Sequence, residues 1–227
     1  MDIKDTSDLP VHHVLDELRL RLDQGHEAVL QAPPGAGKTT VVPLALLEQD
    51  WLRGRKILVL EPRRMATRAA AARMAQLLGE PVGETVGYRI RLDTCVSEKT
   101  RIEVITEGIL TRQLQRDPGL EDVGLVIFDE FHERNLDSDL CLALALQGRA
   151  VFREGPPLKL LVMSATLDGE AVAELLGGAP VISSSGRQYP VETRYGQAYQ
   201  LRDSIVGPVV ATVQRALSEQ DGSCLLY

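Results

Sequence analysis

Short, uninterrupted apolar runs alternate with helix-like segments along most of the chain. The runs cover residues 28–30, 56–61, 101–106, 123–128 and 158–163, and each precedes a segment with the spacing or composition of a helix. Strands whose sequences are apolar throughout are buried on both faces, so this alternation is typical of a mainly parallel sheet with helices on both sides. The predicted fold class is therefore α/β.

Helical and alternating spacing adds further elements to this prediction. Apolar residues recur at near-helical spacing over residues 8–24, and residues 83–92 alternate as an edge strand or hairpin does. A strand-like segment at 190–195 and a helix near 202–217 follow the serine-rich residues 183–186. In the helix after residue 132, the sequence predicts an inward face of four residues: Leu136, Leu140, Ala143 and Leu144.

The change of composition near residue 186 divides the predicted domains. We expect residues 1–186 to form one domain, and residues 187–227 to form a linker and the truncated start of a second domain. Residues 223–227 resemble another buried strand, whose pairing partner and core would be incomplete. The sequence therefore predicts a piece of a longer protein.

Charge and composition argue against several classes of protein. The net charge of −7 argues against a general basic coat for nucleic acid, although residues 53–73 carry seven basic residues against Glu61 alone. No apolar run approaches the ~18 residues of a membrane span, and the first ten residues are too acidic and polar for a secretory signal. Three widely separated cysteines argue against a zinc site or a disulfide framework, so the predicted location is the cytoplasm.

Residues 27–40 have the strand–loop–helix order of a phosphate-binding loop. Backbone N–H groups of a glycine-rich loop can turn onto phosphate oxygens, and the helix N-terminus adds partial positive charge. Lys38 can reach the β- and γ-phosphates, and the Thr39 hydroxyl can ligate Mg²⁺. Ala32 replaces the first glycine of the usual G-x-x-x-x-G-K-[ST] pattern, so an ordinary strand-to-helix turn is the alternative. The predicted nucleotide-binding residues are Pro34, Gly35, Ala36, Gly37, Lys38, Thr39 and Thr40.

An Asp-Glu pair directly after the run at 123–128 is typical of the second half of an ATPase site. Asp129 can hold Mg²⁺, and Glu130 can orient and polarise the attacking water. The predicted metal-binding residues are Thr39, Asp129 and Glu130, and Lys38 and Glu130 are predicted to be catalytic. The chain has no N-K-x-D motif, and its only asparagine is Asn135, so adenine is favoured over guanine. The expected cofactors are therefore ATP and Mg²⁺.

Five ordered motifs resemble those of superfamily 2 helicases of the DEAH type. They are residues 32–39 (motif I), 61–64 (motif Ia), 106–108 (motif Ib), 129–134 (the DEAH box) and 164–166 (motif III). The loop sequence and the Glu-Pro-Arg-Arg at 61–64 are similar in particular to the bacterial HrpB group of RNA-helicase-like proteins. Phe131 stands where the family usually has alanine, between Glu130 and His132.

This resemblance implies a pair of RecA-like domains with ATP between them and RNA across both. The chain would contain the first domain, a RecA-like P-loop NTPase, and the opening of the second. The implied activity is that of an ATP-dependent RNA helicase, in which Mg²⁺-dependent ATP hydrolysis drives movement on RNA or its unwinding. The arginine fingers would belong to the second domain, so we expect these 227 residues alone to be weakly active or inactive.

The resemblance also implies roles for individual side chains. His132 would be catalytic, and Ser164 and Thr166 would couple the ATP site to the RNA site, although all three could instead cap helices. Arg73 would stack on adenine, with a plain surface arginine as the alternative. The implied contacts to the RNA backbone are Arg63, Arg64, Arg91, Thr106, Glu107 and Gly108.

Two other functions remain open at this point. The protein could be a scaffold that clamps RNA under ATP control without unwinding it. It could also be an ATPase that acts on DNA or on protein. All of these interpretations share the ATP site, and none of them involves a membrane.

Overall fold

The computed structural model describes residues 6–165, 169–185, 192–196 and 204–226. The chain divides into two compact units, Met1–Gln188 and Tyr189–Tyr227. Thr166 lies outside the described residues, as do residues 190, 191 and 227.

A mainly parallel sheet forms the centre of the first unit. Its strands run in the order β4-β3-β5-β2-β6-β7-β1-β8, and only the hairpin of β3 and β4 at one edge is antiparallel. The predicted α/β class and the mainly parallel sheet are therefore confirmed. The edge strand or hairpin expected at residues 83–92 corresponds to β3, the first strand of this hairpin, whose second strand lies beyond residue 92. The strands are β1 (Glu27–Gln31), β2 (Lys56–Leu60), β3 (Val86–Ile90), β4 (Asp93–Cys95), β5 (Ile102–Ile105), β6 (Val123–Phe128), β7 (Lys159–Ser164) and β8 (Val181–Ser183).

Helices cover both faces of this sheet. The buried residues of β2 show why its sequence is apolar throughout: Ile57 and Val59 pack on one face, and Leu58 and Leu60 on the other. No described helix is long and apolar enough to cross a membrane. One face carries α1 (Leu15–Gln24), α2 (Lys38–Leu46) and α3 (Arg64–Leu78), and the other carries α4 (Glu107–Arg116), α5 (Leu136–Val151) and α6 (Gly169–Leu175).

The buried face of α5 differs from the predicted one. Of the four residues expected to face inward, Leu144 packs against the core, but three are exposed: Leu136, Leu140 and Ala143. The face that is buried carries mostly small residues: Ser138, Cys141, Leu142, Ala145 and Gly148. These allow a close approach, because a Cβ on Gly148 would lie only 2.0 Å from the carbonyl oxygen of Pro118. Close backbone packing, rather than the leucine spacing, therefore sets the rotation of α5.

The carboxyl ends of five neighbouring strands meet at one edge of the sheet, and each leads into one motif. Residues 129–135, which we call the DEFH segment, follow β6 near the middle of this edge. The segments with implied RNA contacts lie to one side of β6 and the phosphate loop lies to the other. In sheet order, β5 leads into 106–108, β2 into 61–64, β6 into 129–134, β7 into 164–166 and β1 into 32–39.

The second unit contains one helix in its described part, α7 (Val206–Glu219). This helix matches the one expected near residues 202–217. Residues 192–196 and 223–226 are exposed and form no strand, so the strands expected at 190–195 and 223–227 are not found in the described residues. Apolar or alternating sequence forms a stable strand only with neighbouring strands beside it, and this unit supplies none in its described part.

We predict that Gly148→Ala destabilises the first unit. A methyl group placed 2.0 Å from the Pro118 carbonyl oxygen forces α5 away from the turn that contains Pro118. Overpacking of this kind typically costs about 1–3 kcal/mol, which exceeds the gain of up to about 1 kcal/mol in helix propensity. Urea unfolding followed by circular dichroism measures the change.

Gly108→Ala is the matched control in the first turn of α4. No heavy atom lies within 4 Å of the Cβ that it would add, so the propensity gain should stand alone. Equal stability changes in the two variants would contradict the packing argument.

Candidate active site

Two glycines determine the shape of the loop after β1. Gly35 and Gly37 have φ values of +77° and +93°, a left-handed conformation that side chains disfavour. A Cβ on Gly37 would also lie 2.9 Å from Cδ1 of Leu9. Ala32 has no positive φ, and its N–H donates to the Ser164 carbonyl at 3.1 Å, next to the paired ends of β1 and β7. Alanine is therefore tolerated where the usual pattern has glycine.

The ammonium group of Lys38 lies inside this loop. Its Nζ donates to the carbonyl oxygens of Ala32 at 2.5 Å and Pro33 at 3.2 Å, and the side chain is buried. Burial lowers the pKa of Lys38, while the nearby carboxylates of Asp129 and Glu130 raise it. The ammonium is thus positioned to meet an anion bound by the loop, and an anion would offset the cost of its burial.

The chain segment before α1 supports the loop from below. The Ala36 carbonyl accepts a hydrogen bond from the Val11 N–H at 3.2 Å, and Ala36 itself is buried. Pro34 and Gly35 are exposed at the tip of the loop, and Thr40 follows in the first turn of α2. The seven residues predicted to bind nucleotide therefore form one continuous stretch of loop and first helical turn at the N-terminus of α2.

A direct hydrogen bond joins the two halves of the predicted ATP site. The Thr39 hydroxyl, at the start of α2, donates to Oδ2 of Asp129, and Oδ1 of Asp129 accepts the N–H of Glu130 at 2.9 Å. Burial raises the pKa of Asp129 to about 6, and the hydrogen bond from Thr39 opposes this shift. The fold therefore brings together two oxygen ligands that are 90 residues apart in sequence.

This pair of oxygens fits a magnesium ion. Mg²⁺ prefers oxygen ligands and is usually held by one or two protein groups, with water and phosphate oxygens completing its shell. Within the described ranges, no cluster of three or more histidine, cysteine, aspartate or glutamate residues could hold a metal. The donor set of Thr39 and Asp129 therefore suits Mg²⁺ bound together with a phosphate ligand. Glu130, also predicted as a ligand, lines a cleft together with Thr39, and its role as a ligand stays a prediction.

Glu130 and His132 lie side by side after β6. The Nε2 atom of His132 is 3.3 Å from Oε2 of Glu130, and Nδ1 of His132 faces the Ala165 N–H at 3.3 Å. His132 therefore bridges Glu130 and the segment after β7. It does not cap α5, because Asn135 is the N-cap residue and its side chain accepts the Asp137 N–H.

Phe131, the departure from the usual alanine, points into the core. It is buried and meets Phe128 edge to face, with 6.2 Å between the ring centroids and 85° between the planes. The aromatic ring therefore fills space beneath the site, and Glu130 and His132 remain partly exposed on either side of it.

A cleft of about 510 Å³ lies beside the loop. Thr39, Thr40 and Glu130 line one part of it, and Arg73 on α3 lines another. The guanidinium of Arg73 donates to Oε1 of Gln76 at 3.0 Å. Arg73 thus shares a cavity with the nucleotide loop, which is where a residue that contacts adenine must lie.

Glu61 of motif Ia also lines this cleft, although no role is predicted for its side chain. It is buried, and burial raises the pKa of Glu61 to about 8, with Asp129 the next largest influence. A glutamate that ends a continuous apolar run is a signal of a buried acid. Its proximity to Asp129 depends on the strand order β2-β6, which the sequence does not state.

Three arginines predicted to bind RNA lie close together after β2 and β3, and one of them, Arg63, also lines the cleft beside the phosphate loop. The Arg63 guanidinium pairs with Oε1 of Glu133 at 2.6 Å, and the Arg64 guanidinium donates to the Arg91 carbonyl at 3.0 Å. All three arginines are exposed. The start of α3 and the β3–β4 turn therefore form one basic surface.

The three residues of motif Ib face different surroundings. Thr106 is partly exposed and its side chain does not cap α4, while Gly108 is exposed with open space around it. Glu107 lies between them but is buried, and its carboxylate accepts hydrogen bonds from Asn135 and Ser138 at the start of α5. The side chain of Glu107 is therefore held against α5, and its predicted contact with RNA stays a prediction.

Of the two residues predicted to couple the sites, Ser164 and Thr166, the structure describes only Ser164. Ser164 is the buried last residue of β7, and its carbonyl accepts the Ala32 N–H. Thr166 lies outside the described residues. In the described part of motif III, one link to the phosphate loop is thus the backbone hydrogen bond at Ser164.

A family model described as DEAD/DEAH box helicase matches residues 14–175, which is most of the chain. The chain belongs to the DEAD/DEAH box helicase family. It is 52% identical, over 223 residues, to the ATP-dependent RNA helicase HrpB of Escherichia coli K12. This match covers 97% of the chain and 27% of that relative, so the chain spans about a quarter of the relative's length.

Solved structures of helicases in this family agree with the fold. One structure of Escherichia coli HrpB, described as a DEAH/RHA helicase, has a TM-score of 0.87 and 49% identity, over 95% of this chain and 27% of that one. A second, described as a DExH-box NTPase, has a TM-score of 0.82 and 49% identity, over 96% of this chain and 26% of that one. The RecA-like fold and the resemblance to the HrpB group are therefore confirmed.

We predict that Glu61→Gln reduces the loss of stability at alkaline pH. The pKa of Glu61 is raised from 4.5 to about 8, so the folded state binds its proton more tightly than the unfolded chain does. Stability therefore falls as the pH rises between these two values, and a glutamine cannot lose a proton. Urea midpoints at about pH 5 and about pH 8, without Mg²⁺ or nucleotide, measure the difference.

The exposed Glu98 provides the control for this experiment. Glu98→Gln removes the same charge from the surface and should keep the pH dependence of the original chain. If Glu61→Gln and the original chain lose the same stability over this pH range, the burial argument is wrong.

Proposed function

We propose that this chain is the ATP-binding domain of an ATP-dependent RNA helicase, in which Mg²⁺-dependent ATP hydrolysis drives movement on RNA or its unwinding. One observation carries this proposal: the DEFH segment contacts both the residues predicted to bind ATP and the residues predicted to bind RNA at the same sheet edge. Asp129 bonds Thr39 on one side, and Glu133 pairs with Arg63 on the other. A change at either site can therefore reach the other through a single short segment.

The loop residues would bind the nucleotide. Lys38 and the backbone N–H groups of residues 35–38 would bind the β- and γ-phosphates, because the loop and the N-terminus of α2 concentrate positive charge there. Thr39 and Asp129 would hold Mg²⁺, which when bound neutralises charge on the phosphates. Arg73 lines the same cleft and is our candidate for contact with adenine.

Glu130 would orient and polarise the attacking water. Its Oε2 atom lies 3.3 Å from Nε2 of His132, so the histidine can fix the direction in which the carboxylate points. Hydrolysis also needs positive charge near the departing phosphate, and an arginine finger typically contributes about 10³–10⁵ in rate. We place these arginines in a second RecA-like domain of a longer protein, so this chain alone would be a weak ATPase.

Exposed cations and backbone donors would bind the RNA backbone. Arg63, Arg64 and Arg91 form the basic surface beside the DEFH segment. The N–H groups at the start of α4, beyond Thr106 and including that of Gly108, add a helix N-terminus suited to a phosphate. Contacts of this kind bind strands of any sequence. We favour RNA over DNA because the similar Escherichia coli protein is named an RNA helicase, and we propose a cytoplasmic location.

A strand-displacement assay with the full-length protein tests this function. With ATP and Mg²⁺, we expect unwinding of an RNA duplex that carries a single-stranded tail. Lys38→Ala should abolish nucleotide binding, because Lys38 is the only lysine in the loop. Glu130→Gln should bind ATP as before but not hydrolyse it, since an amide cannot polarise water as a carboxylate does.

The outcomes of this assay separate the remaining functions. RNA-stimulated hydrolysis without strand displacement would support an ATP-regulated scaffold instead of a helicase. Strand displacement on DNA duplexes but not on RNA duplexes would indicate that the substrate is DNA. Unchanged turnover in Glu130→Gln would show that Glu130 does not act on the water.

We predict that changing Arg63 and Arg64 together to alanine weakens binding of all single-stranded RNA sequences alike. Two lost phosphate contacts should lower the slope of log affinity against log salt by roughly 1.4, at about 0.7 per contact. Fluorescence anisotropy with several labelled oligonucleotides over a salt series measures the slope.

The matched control replaces Arg112 and Arg116, both exposed on the second half of α4. This helix runs away from the motif edge toward the start of β6, so these two arginines lie near the opposite edge of the sheet. Their replacement changes the net charge equally and should leave the slope unchanged. A loss that depends on RNA sequence would indicate base contacts by Arg63 or Arg64.

A further inference from the structure

Glu107 is a buried carboxylate that joins two helices. Its Oε1 atom accepts a hydrogen bond from Nδ2 of Asn135 at 3.0 Å and another from Oγ of Ser138 at 3.2 Å. Asn135 ends the DEFH segment and is the N-cap of α5, where its own Oδ1 accepts the Asp137 N–H at 3.0 Å. One side chain thus connects the start of α4 to the end of the DEFH segment.

The backbone of Glu107 takes part in the same contact. Its carbonyl accepts a hydrogen bond from the Thr111 hydroxyl at 3.0 Å and lies 3.6 Å from Sγ of Cys141 on α5. The Thr111 hydroxyl is in turn 3.4 Å from that sulfur. The first turns of α4 and α5 are therefore joined by a small polar network within an otherwise apolar interface.

The polar surroundings of Glu107 suit a buried carboxyl group. A buried carboxylate is costly unless hydrogen bonds satisfy it, and this one has two side-chain donors. It also lies in the first turn of α4 and against the first turn of α5, where both helix dipoles favour negative charge. Hydrogen bonds to a charged acceptor are about twice as strong as neutral ones.

The location of this network gives it a function. The N-terminus of α4 lies on the RNA side of the sheet edge, immediately after Thr106. Asn135 lies five residues after Glu130 in the same segment that holds Asp129 and His132. A displacement of the α4 N-terminus must therefore move the end of the DEFH segment, or break buried hydrogen bonds.

A second link between the two sides is weaker. The ion pair of Arg63 and Glu133 has side chains that are 71% and 31% exposed. Solvent and salt screen such pairs, and most contribute only about 0–1 kcal/mol. Glu107 is buried and Asn135 is only partly exposed, so solvent and salt weaken their hydrogen bond less than they weaken the exposed ion pair.

We propose that Glu107 is a positioning residue that couples RNA binding at the start of α4 to ATP hydrolysis in the DEFH segment. The carboxylate ties the α4 N-terminus to Asn135, so that a phosphate bound by α4 fixes the position of Glu130 through the intervening residues. This proposal rests on the proposed helicase function. It assigns the Glu107 side chain to communication between the sites, rather than to contact with RNA.

The experiment measures RNA-stimulated ATP hydrolysis by the full-length protein. For Glu107→Ala we expect the ratio of stimulated to basal turnover to fall about tenfold, the scale expected for loss of a charge-assisted hydrogen bond. The loss should fall on kcat at saturating RNA rather than on KM for ATP. Glu107→Gln, which retains an oxygen acceptor for Asn135 and Ser138, should regain most of the ratio.

Asn135→Ala removes the other end of the same link. It should reduce the ratio as Glu107→Ala does, and the double variant should lose little more, because both changes break one interaction. Glu98→Gln, an exposed charge change outside the network, should leave the ratio unchanged. Thermal unfolding of each variant establishes that the compared proteins are folded.

Each outcome decides the proposal. Equal losses of basal and stimulated turnover, additive losses in the double variant, or no rescue by glutamine would make Glu107 a purely structural residue. A normal ratio in Glu107→Ala would also overturn the positioning role and leave the helicase function intact. Absence of any RNA stimulation in the original protein would overturn the helicase function itself, together with the proposal that rests on it.

Discussion

The position of β6 between β2 and β7 is the constraint on which the site depends. Neighbouring strands lie about 4.8 Å apart, so β2 and β1, three strand positions apart, are separated by about 14 Å. Arg63 follows the end of β2, and Lys38 follows the loop after β1. The DEFH segment follows β6, one of the two strands between them, so Glu133 pairs with Arg63 while Asp129 accepts a hydrogen bond from the Thr39 hydroxyl.

Three ionisable side chains at this edge are buried by the protein itself: Lys38, Asp129 and Glu61. Burial lowers the pKa of Lys38 and raises the pKa values of Asp129 and Glu61, so each group is held where its charged form is disfavoured. A phosphate near Lys38 and a cation near Asp129 would each offset part of this cost. Burial of these groups therefore costs the folded chain some stability, and ligands of opposite charge would restore part of it on binding.

Periodicity and motif spacing predicted the fold class, the strands that precede each motif and the joining of Thr39 and Asp129. They did not predict the rotation of α5, because a helix with leucines on one face and small residues on another offers two possible inward faces. Close packing of Gly148 on Pro118 decides between them. The burial of Glu107 depends on that same rotation, and the position of Glu61 depends on strand order, neither of which a local pattern contains.

Two contacts connect the DEFH segment to its neighbours: the Arg63–Glu133 ion pair and the Glu107–Asn135 hydrogen bond. They differ in how easily another group can replace one partner. Arg63 is largely exposed, so an RNA phosphate could replace Glu133 as its partner at little cost, and Glu133 would then be free to move. Glu107 is buried, and separating it from Asn135 would remove one of the two side-chain donors to a carboxylate inside the protein. In the proposed helicase, RNA would therefore release one contact of the segment while the other keeps its end fixed to α4.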